Sequence, residues 1–212
     1  METVIGRVPD GWQEVFLAEA CDIRSGPSAA LRAHGISDGI SGIPVVTSAD
    51  LRFNAISRER LQRVTSAAAE ELSAYQLRAG DILSARTGDL GRQALIGEEG
   101  QGWLYGTACV RLRPRSDLLL PRYLLYYLAH RRVGEWIRRH ATGSAIPSIS
   151  AKVLGALPIP LPPLARQREI TRALALLDEK AALHDEISRT TVALRDSLLP
   201  MLYRGEGIAG DA

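Results

Sequence analysis

The feature that most constrains this chain is a long segment of helical character that follows a run of prolines. Four prolines fall within Pro158–Pro163, where their fixed φ and missing N–H exclude a helix and stiffen the backbone. From Ala165 onward, no glycine or proline occurs before Pro200. The sequence therefore predicts a proline-rich hinge at 158–164, one long helix at 165–204 and a flexible tail at 205–212.

The predicted helix carries apolar residues at coiled-coil spacing. Successive positions are separated alternately by three and four residues, as a heptad seam requires, and the centre of the seam is polar. About 38 residues at 1.5 Å each give a rod of roughly 57 Å, which cannot bury such a stripe alone. A partner helix is therefore expected, and a helix folded back on its own domain is the alternative. The seam comprises Ile170, Ala173, Leu177, Lys180, His184, Ile187, Thr191, Leu194, Leu198 and Met201.

Residues 1–157 show the pattern of a globular domain of mixed structure. Short apolar runs alternate with Gly, Pro, Ser and Asp, which is typical of short strands joined by turns. Thr65–Leu77 predicts a short helix packed on the sheet, and Pro121–His140 predicts one amphipathic helix with a proline in its first turn. The predicted fold class is α+β. The expected strands are Trp12–Leu17, Ile43–Thr47, Asp81–Ala85, Gln93–Ile96 and Thr107–Leu112.

Composition argues against several classes of protein. No apolar run reaches the roughly 18–20 residues of a membrane span, and the first residues lack a signal-peptide core, so a cytoplasmic location is expected. Cys21 and Cys109 form no CxxC pair, and the histidines lack metal-ligand spacing, so reduced thiols and no metal are expected. Nearly all basic residues are arginine, which suits phosphates and guanine edges but is equally typical of a GC-rich genome.

Catalytic motifs are missing from the sequence. A DNA amino-methyltransferase needs an Asn/Asp-Pro-Pro-aromatic motif, whereas Asn54 is followed by Ala55. The GDLGRQ segment at 88–93 lacks the third glycine of a dinucleotide site, and no GxxxxGK[ST] loop occurs. The acidic and basic residues at 178–180 are consecutive on the helix and point in different directions. The chain is therefore expected not to be an enzyme.

Several segments occur in an order that is specific to one family. The most distinctive is GSAIPSISAKVLGALPIPLPPLARQREI at 143–170. The others are PDGWQEVFLAEACDIRSG at 9–26, GIPVVTSADL at 42–51, LRAGDILSARTGDLGRQAL at 77–95, RLRPRSDLLLPRYLLYYL at 111–128 and DSLLPMLYRGE at 196–206. Together they resemble the specificity (S) subunits of type I restriction-modification systems over almost the whole chain.

The resemblance implies a target-recognition domain at 1–157 that binds double-stranded DNA, and a conserved helix that pairs antiparallel with a second helix. S subunits usually carry two of each, so one of each implies a half-size form that pairs with a second copy or with a second half-subunit. The partners implied are DNA adenine methyltransferase (modification) subunits and, in some systems, a translocating restriction subunit. The cofactor S-adenosylmethionine is expected on the methyltransferase, and none on this chain.

Polar loops between the predicted strands are the candidates for DNA contact. Arginine can donate two hydrogen bonds to guanine, serine and threonine tolerate several base edges, and glycine lets the backbone approach phosphate. The candidate residues are Arg24, Ser25, Gly26, Thr47, Ser48, Arg86, Thr87, Arg92, Gly143 and Ser144. The partner-facing residues on the helix are Ile170, Leu177, Ile187, Leu194, Leu198 and Met201.

Two other functions remain open at the level of sequence. One is a coiled-coil adaptor or inhibitor that binds modification subunits without recognising DNA. The other is a self-contained methyltransferase or nuclease, which the missing motifs disfavour. The arginine-bearing loops favour DNA recognition over the adaptor.

Overall fold

The structure is a computed structural model that describes residues 2–27, 31, 41–52, 54–59, 61–115 and 117–204. The chain divides into two compact units, Met1–Glu169 and Ile170–Ala212. The described strands all belong to the first unit, and the described part of the second is helical as far as Tyr203. The α+β class predicted from the sequence is confirmed.

Short strands and helices alternate along the first unit, and the five predicted strands are present with ends shifted by no more than two residues. The strands are β1 (Glu2–Thr3), β2 (Gly6–Arg7), β3 (Gln13–Phe16), β4 (Cys21–Ser25), β5 (Ile43–Val46), β6 (Leu51–Arg52), β7 (Ala55–Ile56), β8 (Gln62–Val64), β9 (Ile82–Ala85), β10 (Gln93–Leu95), β11 (Leu104–Tyr105), β12 (Cys109–Pro114) and β13 (Pro158–Leu161). The helices are α1 (Leu17–Ala20), α2 (Ser66–Glu71), α3 (Pro121–Ala129), α4 (Arg131–His140), α5 (Ala151–Gly155) and α6 (Leu164–Tyr203).

Two sheets pack around the main core of this unit. A four-stranded antiparallel sheet has the order β10-β9-β12-β4, and a three-stranded sheet has the order β11-β5-β8 with β11 parallel to β5. Because one apolar cluster draws residues from both sheets, the core lies between them, and burying each large side chain contributes about 1.5–3 kcal/mol. The cluster comprises Val46, Leu51, Leu77, Leu83, Ala85, Ala94, Ile96, Tyr105 and Cys109.

The short helix predicted within Thr65–Leu77 is present as α2 and packs on the three-stranded sheet. Thr65 caps it, because its Oγ1 accepts a hydrogen bond from the Ala68 N–H at 3.2 Å. The apolar side of α2 packs against the three-stranded sheet in a second apolar cluster. This cluster comprises Leu31, Val45, Val64, Ala68, Ala69, Leu72 and Leu104.

The prediction of one helix over Pro121–His140 is wrong in one respect, because the segment forms two helices. His130 adopts an extended conformation (φ −67°, ψ 133°) between α3 and α4. Its Nδ1 accepts a hydrogen bond from the Arg132 N–H at 3.2 Å and so caps α4. A side-chain cap ends one helix and starts the next here, without the proline or glycine that usually marks such a break.

The prediction of a hinge at 158–164 is also corrected. Residues Pro158–Leu161 form β13, which pairs antiparallel with β3 and is largely buried. Proline is tolerated because, among the described strands, β13 pairs only with β3, which leaves its other edge free of ladder hydrogen bonds. The hydroxyls of Tyr123 and Tyr127 donate to the carbonyls of Pro160 and Pro158 at 2.7 and 2.6 Å. This segment is therefore an integral part of the first unit.

The long predicted helix is present as α6, a single helix of 40 residues. Its first turn is joined to the first unit by Gln167, which is fully buried. The Gln167 amide accepts from the Leu120 N–H and donates to the carbonyls of Leu118 and Pro162, all at 2.9 Å. The tail predicted at 205–212 lies outside the described residues.

Candidate nucleic-acid interface

The ends of five strands meet at one side of the first unit. Because β4 and β9 both run antiparallel to β12, their carboxyl ends lie beside its amino end. The parallel strands β5 and β11 end nearby, where the Gly106 N–H donates to the Val46 carbonyl at 2.8 Å. A Cβ on Gly26 would lie 2.1 Å from the Gly106 oxygen, so the two sheets touch at this point. We call the surface formed by residues 47–50, 86–92, 106–108 and 138–148 the loop face.

Backbone hydrogen bonds join the two longest loops of the loop face. The Gly88 N–H donates to the Pro147 carbonyl at 2.9 Å, and the Ile149 N–H donates to the Arg86 carbonyl at 2.9 Å. Thr87 and Ser148 also pair, with 3.3 Å between their hydroxyl oxygens. The structure therefore brings together two loops whose paired residues, Thr87 and Ser148, lie 61 positions apart in the chain.

The 142–148 loop is a compact, hydrogen-bonded turn. Thr142 and Ser148 exchange backbone hydrogen bonds of 2.8 Å. Gly143 has φ +93°, a conformation that favours glycine, and a Cβ there would lie 2.6 Å from the Ile146 oxygen. Ser144 and Ile146 are exposed at its tip. Of the residues proposed from sequence, Gly143 thus shapes the loop and Ser144 is presented by it.

Basic side chains surround these loops. Arg92 is exposed and donates from Nε to Asp89 at 2.8 Å. This hydrogen bond holds the pKa of Asp89 below its usual range, with smaller contributions from the Gly91 N–H and from Arg138. Arg138 lies in the last turn of α4, just before the loop that hydrogen-bonds to Arg86 and Gly88. Arg86 is half-buried, and its Nε donates weakly to the Ile149 carbonyl at 3.5 Å.

The prediction that Arg24 and Ser25 lie in a polar loop between strands is wrong. Arg24 and Ser25 belong to β4, and Arg24 donates to the Ala74 carbonyl at 3.2 Å, on the flank of the unit and outside the loop face. Gly26 is buried against Gly106 and has a packing role. DNA contact by Arg24 and Ser25 stays a prediction. The burial of Gly26 against Gly106 disfavours DNA contact by that residue.

Thr47 and Ser48 follow β5, as predicted, and lie on the loop face. Thr47 is engaged locally, because its hydroxyl donates to Asp50 at 2.7 Å and its N–H donates to the same carboxylate at 2.8 Å. Ser48 begins a 3-10 turn and is half-buried. Thr47 is therefore a turn-forming residue, and Ser48 has the freer hydroxyl.

Sequence reasoning missed the carboxyl end of α4 as part of this surface. Arg138, Arg139 and His140 are exposed in its last turn, and His140 stacks on Trp136 with 4.0 Å between ring centroids. The sequence indicated only that the arginines lay off the apolar stripe. Their position just before the loop that begins at Ala141 is the signal that could have joined them to it.

The loop face offers guanidinium groups, hydroxyls and backbone N–H groups, which are donors suited to phosphates and base edges. Among the described residues, no group of three or more His, Cys, Asp or Glu side chains is placed to hold a metal ion. Cys21 and Cys109 are free and buried, and burial raises the pKa of each thiol to about 12. Both thiols are therefore protonated at neutral pH and poor nucleophiles.

The sequence model of the family described as the type I restriction modification DNA specificity domain matches residues 9–190. The chain therefore belongs to this family, which confirms the resemblance seen in its motifs. In the part of the chain that the structure describes, no helix combines the length and apolar character needed to cross a membrane.

Individual relatives carry the same description. A protein described as the MjaX type I restriction enzyme specificity subunit of Methanocaldococcus jannaschii is 29% identical over 184 residues, covering 84% of this chain and 42% of that protein. The EcoBI type I restriction enzyme specificity subunit of Escherichia coli is 22% identical over 203 residues, covering 94% of this chain and 42% of that protein. The chain thus spans less than half the length of these relatives.

Solved structures share the fold. A chain from a study of complex assembly and conformational transition of the type I R-M system is 27% identical, with a TM-score of 0.68 over 95% of this chain and 48% of that one. The HsdS subunit from Thermoanaerobacter tengcongensis is also 27% identical, with a TM-score of 0.61 over 95% of this chain and 47% of that one. The arrangement of an α+β unit and a long helix is therefore that of type I specificity subunits.

Proposed function

We propose that this chain is a sequence-specificity component of a type I-like restriction-modification system and binds a DNA half-site through the loop face. The observation that carries the proposal is the joining of the 86–92 and 142–148 loops beside the arginines of α4. Phosphate contacts from Arg92, Arg138 and Arg139 would fix the position of the duplex, since these side chains are exposed. Thr87 and Ser144 would then lie next to base edges.

Pairing of α6 with the same helix of a second copy would bring two recognition units together. The large seam residues are exposed, with Leu177 at 62%, Ile187 at 61% and Leu194 at 57%. Exposed apolar stripes of this kind are typical of helices that bind another helix. Antiparallel pairing along 40 residues, about 60 Å of helix, would place the two recognition units far apart on the DNA.

The paired helices would also hold the DNA adenine methyltransferase subunits and, where the system has one, a restriction subunit. The methyltransferase would bind S-adenosylmethionine and transfer the methyl group. The present chain would contribute DNA recognition and no catalysis. Its role in the complex would be to choose which adenines are methylated.

Co-expression with a type I adenine methyltransferase, followed by genome-wide mapping of methylated adenines, tests this function. Because a homodimer is two-fold symmetric, the methylated sequence should be an interrupted palindrome with half-sites about one duplex turn, 34–36 Å, apart. An asymmetric two-part sequence would contradict homodimeric pairing. Absence of any methylation that depends on this chain would contradict the function itself.

A matched pair of variants connects the function to the loop face. Arg92→Ala together with Arg138→Ala should weaken duplex binding and lower the log–log salt slope by about 1.8 if both contact phosphate. Arg122→Ala is the control. A Cβ on Gly80 would lie 3.5 Å from Pro121, and Gly80 precedes β9, so Pro121 and its neighbour Arg122 belong to the amino end of that strand. Arg86 follows the carboxyl end of the same strand, on the loop face. If the double variant and the control bind the duplex with equal affinity, the loop face is not part of the DNA interface.

A further inference from the structure

A second polar site lies on the flank of the first unit. It is a cleft of about 350 Å³ between β4 and β12 on one side and residues 73–78 and 101–102 on the other. Its lining residues include none of the loop face. We call it the arginine cleft, because its side chains include Arg24, Arg78, Arg111 and Arg113.

Strand register concentrates these charges. In the β4–β12 ladder, Arg24 lies opposite Arg111, and Asp22 lies opposite Arg113. Side chains alternate between the faces of a strand, so all four point to the same face of the sheet. Two like charges directly opposite each other destabilise a ladder unless another group neutralises them. The pairing of Arg24 with Arg111 therefore calls for negative charge in the cleft.

The carboxylates of the unit supply only part of that charge. Arg113 forms a two-pronged ion pair with Asp81, since its Nε and Nη2 donate to the two carboxylate oxygens at 2.6 and 2.7 Å. Asp22 forms an ion pair with Nη2 of Arg111. Arg24 donates only to a backbone carbonyl, and among the described residues Arg78 makes no side-chain hydrogen bond or ion pair. Four guanidinium groups thus share two carboxylates.

Arg111 is the deepest of these groups and is incompletely satisfied. Its side chain is 3% exposed, and its Nε has no hydrogen-bond partner among the residues that the structure describes. Leaving a buried N–H of a charged group without an acceptor is costly, so such positions are rare unless a further acceptor binds. Arg111 lines the cleft, so a ligand bound there would lie beside this guanidinium group.

We propose that the arginine cleft binds a free phosphate group, such as inorganic phosphate or the terminal phosphate of a nucleotide. Guanidinium groups offer planar pairs of N–H donors that match phosphate oxygens. Arg24 and Arg78 lie at the exposed rim of the cleft, where they would donate to the outer oxygens of a bound phosphate. Entry to a group that is only 3% exposed requires a small ligand, which favours a free phosphate over an internal phosphate of duplex DNA. This site would be separate from the proposed DNA interface.

Isothermal titration calorimetry of the full chain with inorganic phosphate tests the proposal, with chloride at equal ionic strength as the reference. One phosphate should bind per chain, and Arg24→Ala with Arg78→Ala should weaken it by roughly tenfold or more. Both residues are exposed, so this double variant should fold, which circular dichroism would verify. Arg122→Ala is the matched control and should bind like the parent chain. Equal heats for phosphate and chloride would overturn the proposal.

A second arm separates the two sources of phosphate. Binding of inorganic phosphate and of a duplex without terminal phosphates is measured for the parent chain and for Arg78→Ala alone, because Arg24 is itself a predicted DNA contact. Unchanged duplex affinity, together with lost phosphate binding, supports a site for free phosphate. Loss of duplex affinity by the same factor as phosphate affinity would overturn that assignment and make the cleft part of the DNA interface. Variants of Arg92 and Arg138 test the loop face independently of both results.

Discussion

Replacing Gln167 should destabilise the first unit by an amount that the structure allows to be estimated. Its amide makes three hydrogen bonds of 2.9 Å to the backbone of Leu118, Leu120 and Pro162 and is fully buried. A hydrogen bond contributes about 1 kcal/mol net, and each backbone group loses its amide partner when the amide is removed. Gln167→Met, which keeps the length of the side chain, should therefore cost about 3 kcal/mol.

Urea and thermal unfolding followed by tryptophan fluorescence measure this loss directly. All three tryptophans, Trp12, Trp103 and Trp136, lie in the first unit and report on its unfolding. For a chain of this size, about 3 kcal/mol corresponds to a fall in melting temperature of roughly 6–12 °C. Gln167→Ala should cost a further 1–2 kcal/mol, because it also removes buried methylene groups.

A surface glutamine provides the control. Gln101 is exposed and accepts a single hydrogen bond, from the Ala79 N–H at 3.1 Å. Gln101→Met should change the free energy of unfolding by less than about 0.5 kcal/mol. If Gln167→Met and Gln101→Met unfold at the same urea concentration, the Gln167 hydrogen bonds do not stabilise the unit and the reasoning fails.

Three further outcomes are expected. Leu194→Glu with Leu198→Glu should convert the proposed dimer to monomers in analytical ultracentrifugation, and an unchanged dimer would exclude this seam. Gly26→Ala should cost about 1–3 kcal/mol in urea unfolding, because its Cβ would overlap a backbone oxygen, and wild-type stability would contradict the close approach. Since burial raises the pKa of Cys21 and Cys109 to about 12, a thiol reagent at neutral pH should label them only after denaturation, and rapid native labelling would refute their burial.

Much of the fold could be predicted because its signals are local. The strands at 43–46, 82–85 and 93–95 are short apolar runs with polar turns on each side, and α2 begins at a threonine cap. The long helix follows from the heptad spacing and the absence of glycine and proline. Each of these patterns lies within one segment, so no knowledge of distant contacts was needed.

The errors arose where a distant residue or a single side-chain contact decides the structure. Pro158–Leu161 has the composition of a linker, and its pairing with β3 depends on residues at the other end of the unit. The break at His130 depends on one hydrogen bond that its imidazole accepts from the Arg132 N–H, which no composition pattern records.

The candidate site was predictable only in part. The loops at 86–92 and 142–148 stood out through their glycine, serine and arginine content. That they form one surface with Arg138 depends on backbone contacts between segments far apart in the chain. Arg24 was predicted to lie in a polar loop because β4 is a short strand of mixed polarity, whose register is set by β12.

The ladder between β3 and β13 has a consequence for the order in which the chain acquires its structure. Its partners are about 145 positions apart, so closing it involves a large loop-closure entropy and raises the contact order of the first unit. On the ribosome this ladder cannot form until residue 161 has emerged, when nearly all of that unit has already been synthesised. Helix α6 emerges directly afterwards, so its apolar seam is exposed only once the residues of β13 are available to close the first unit.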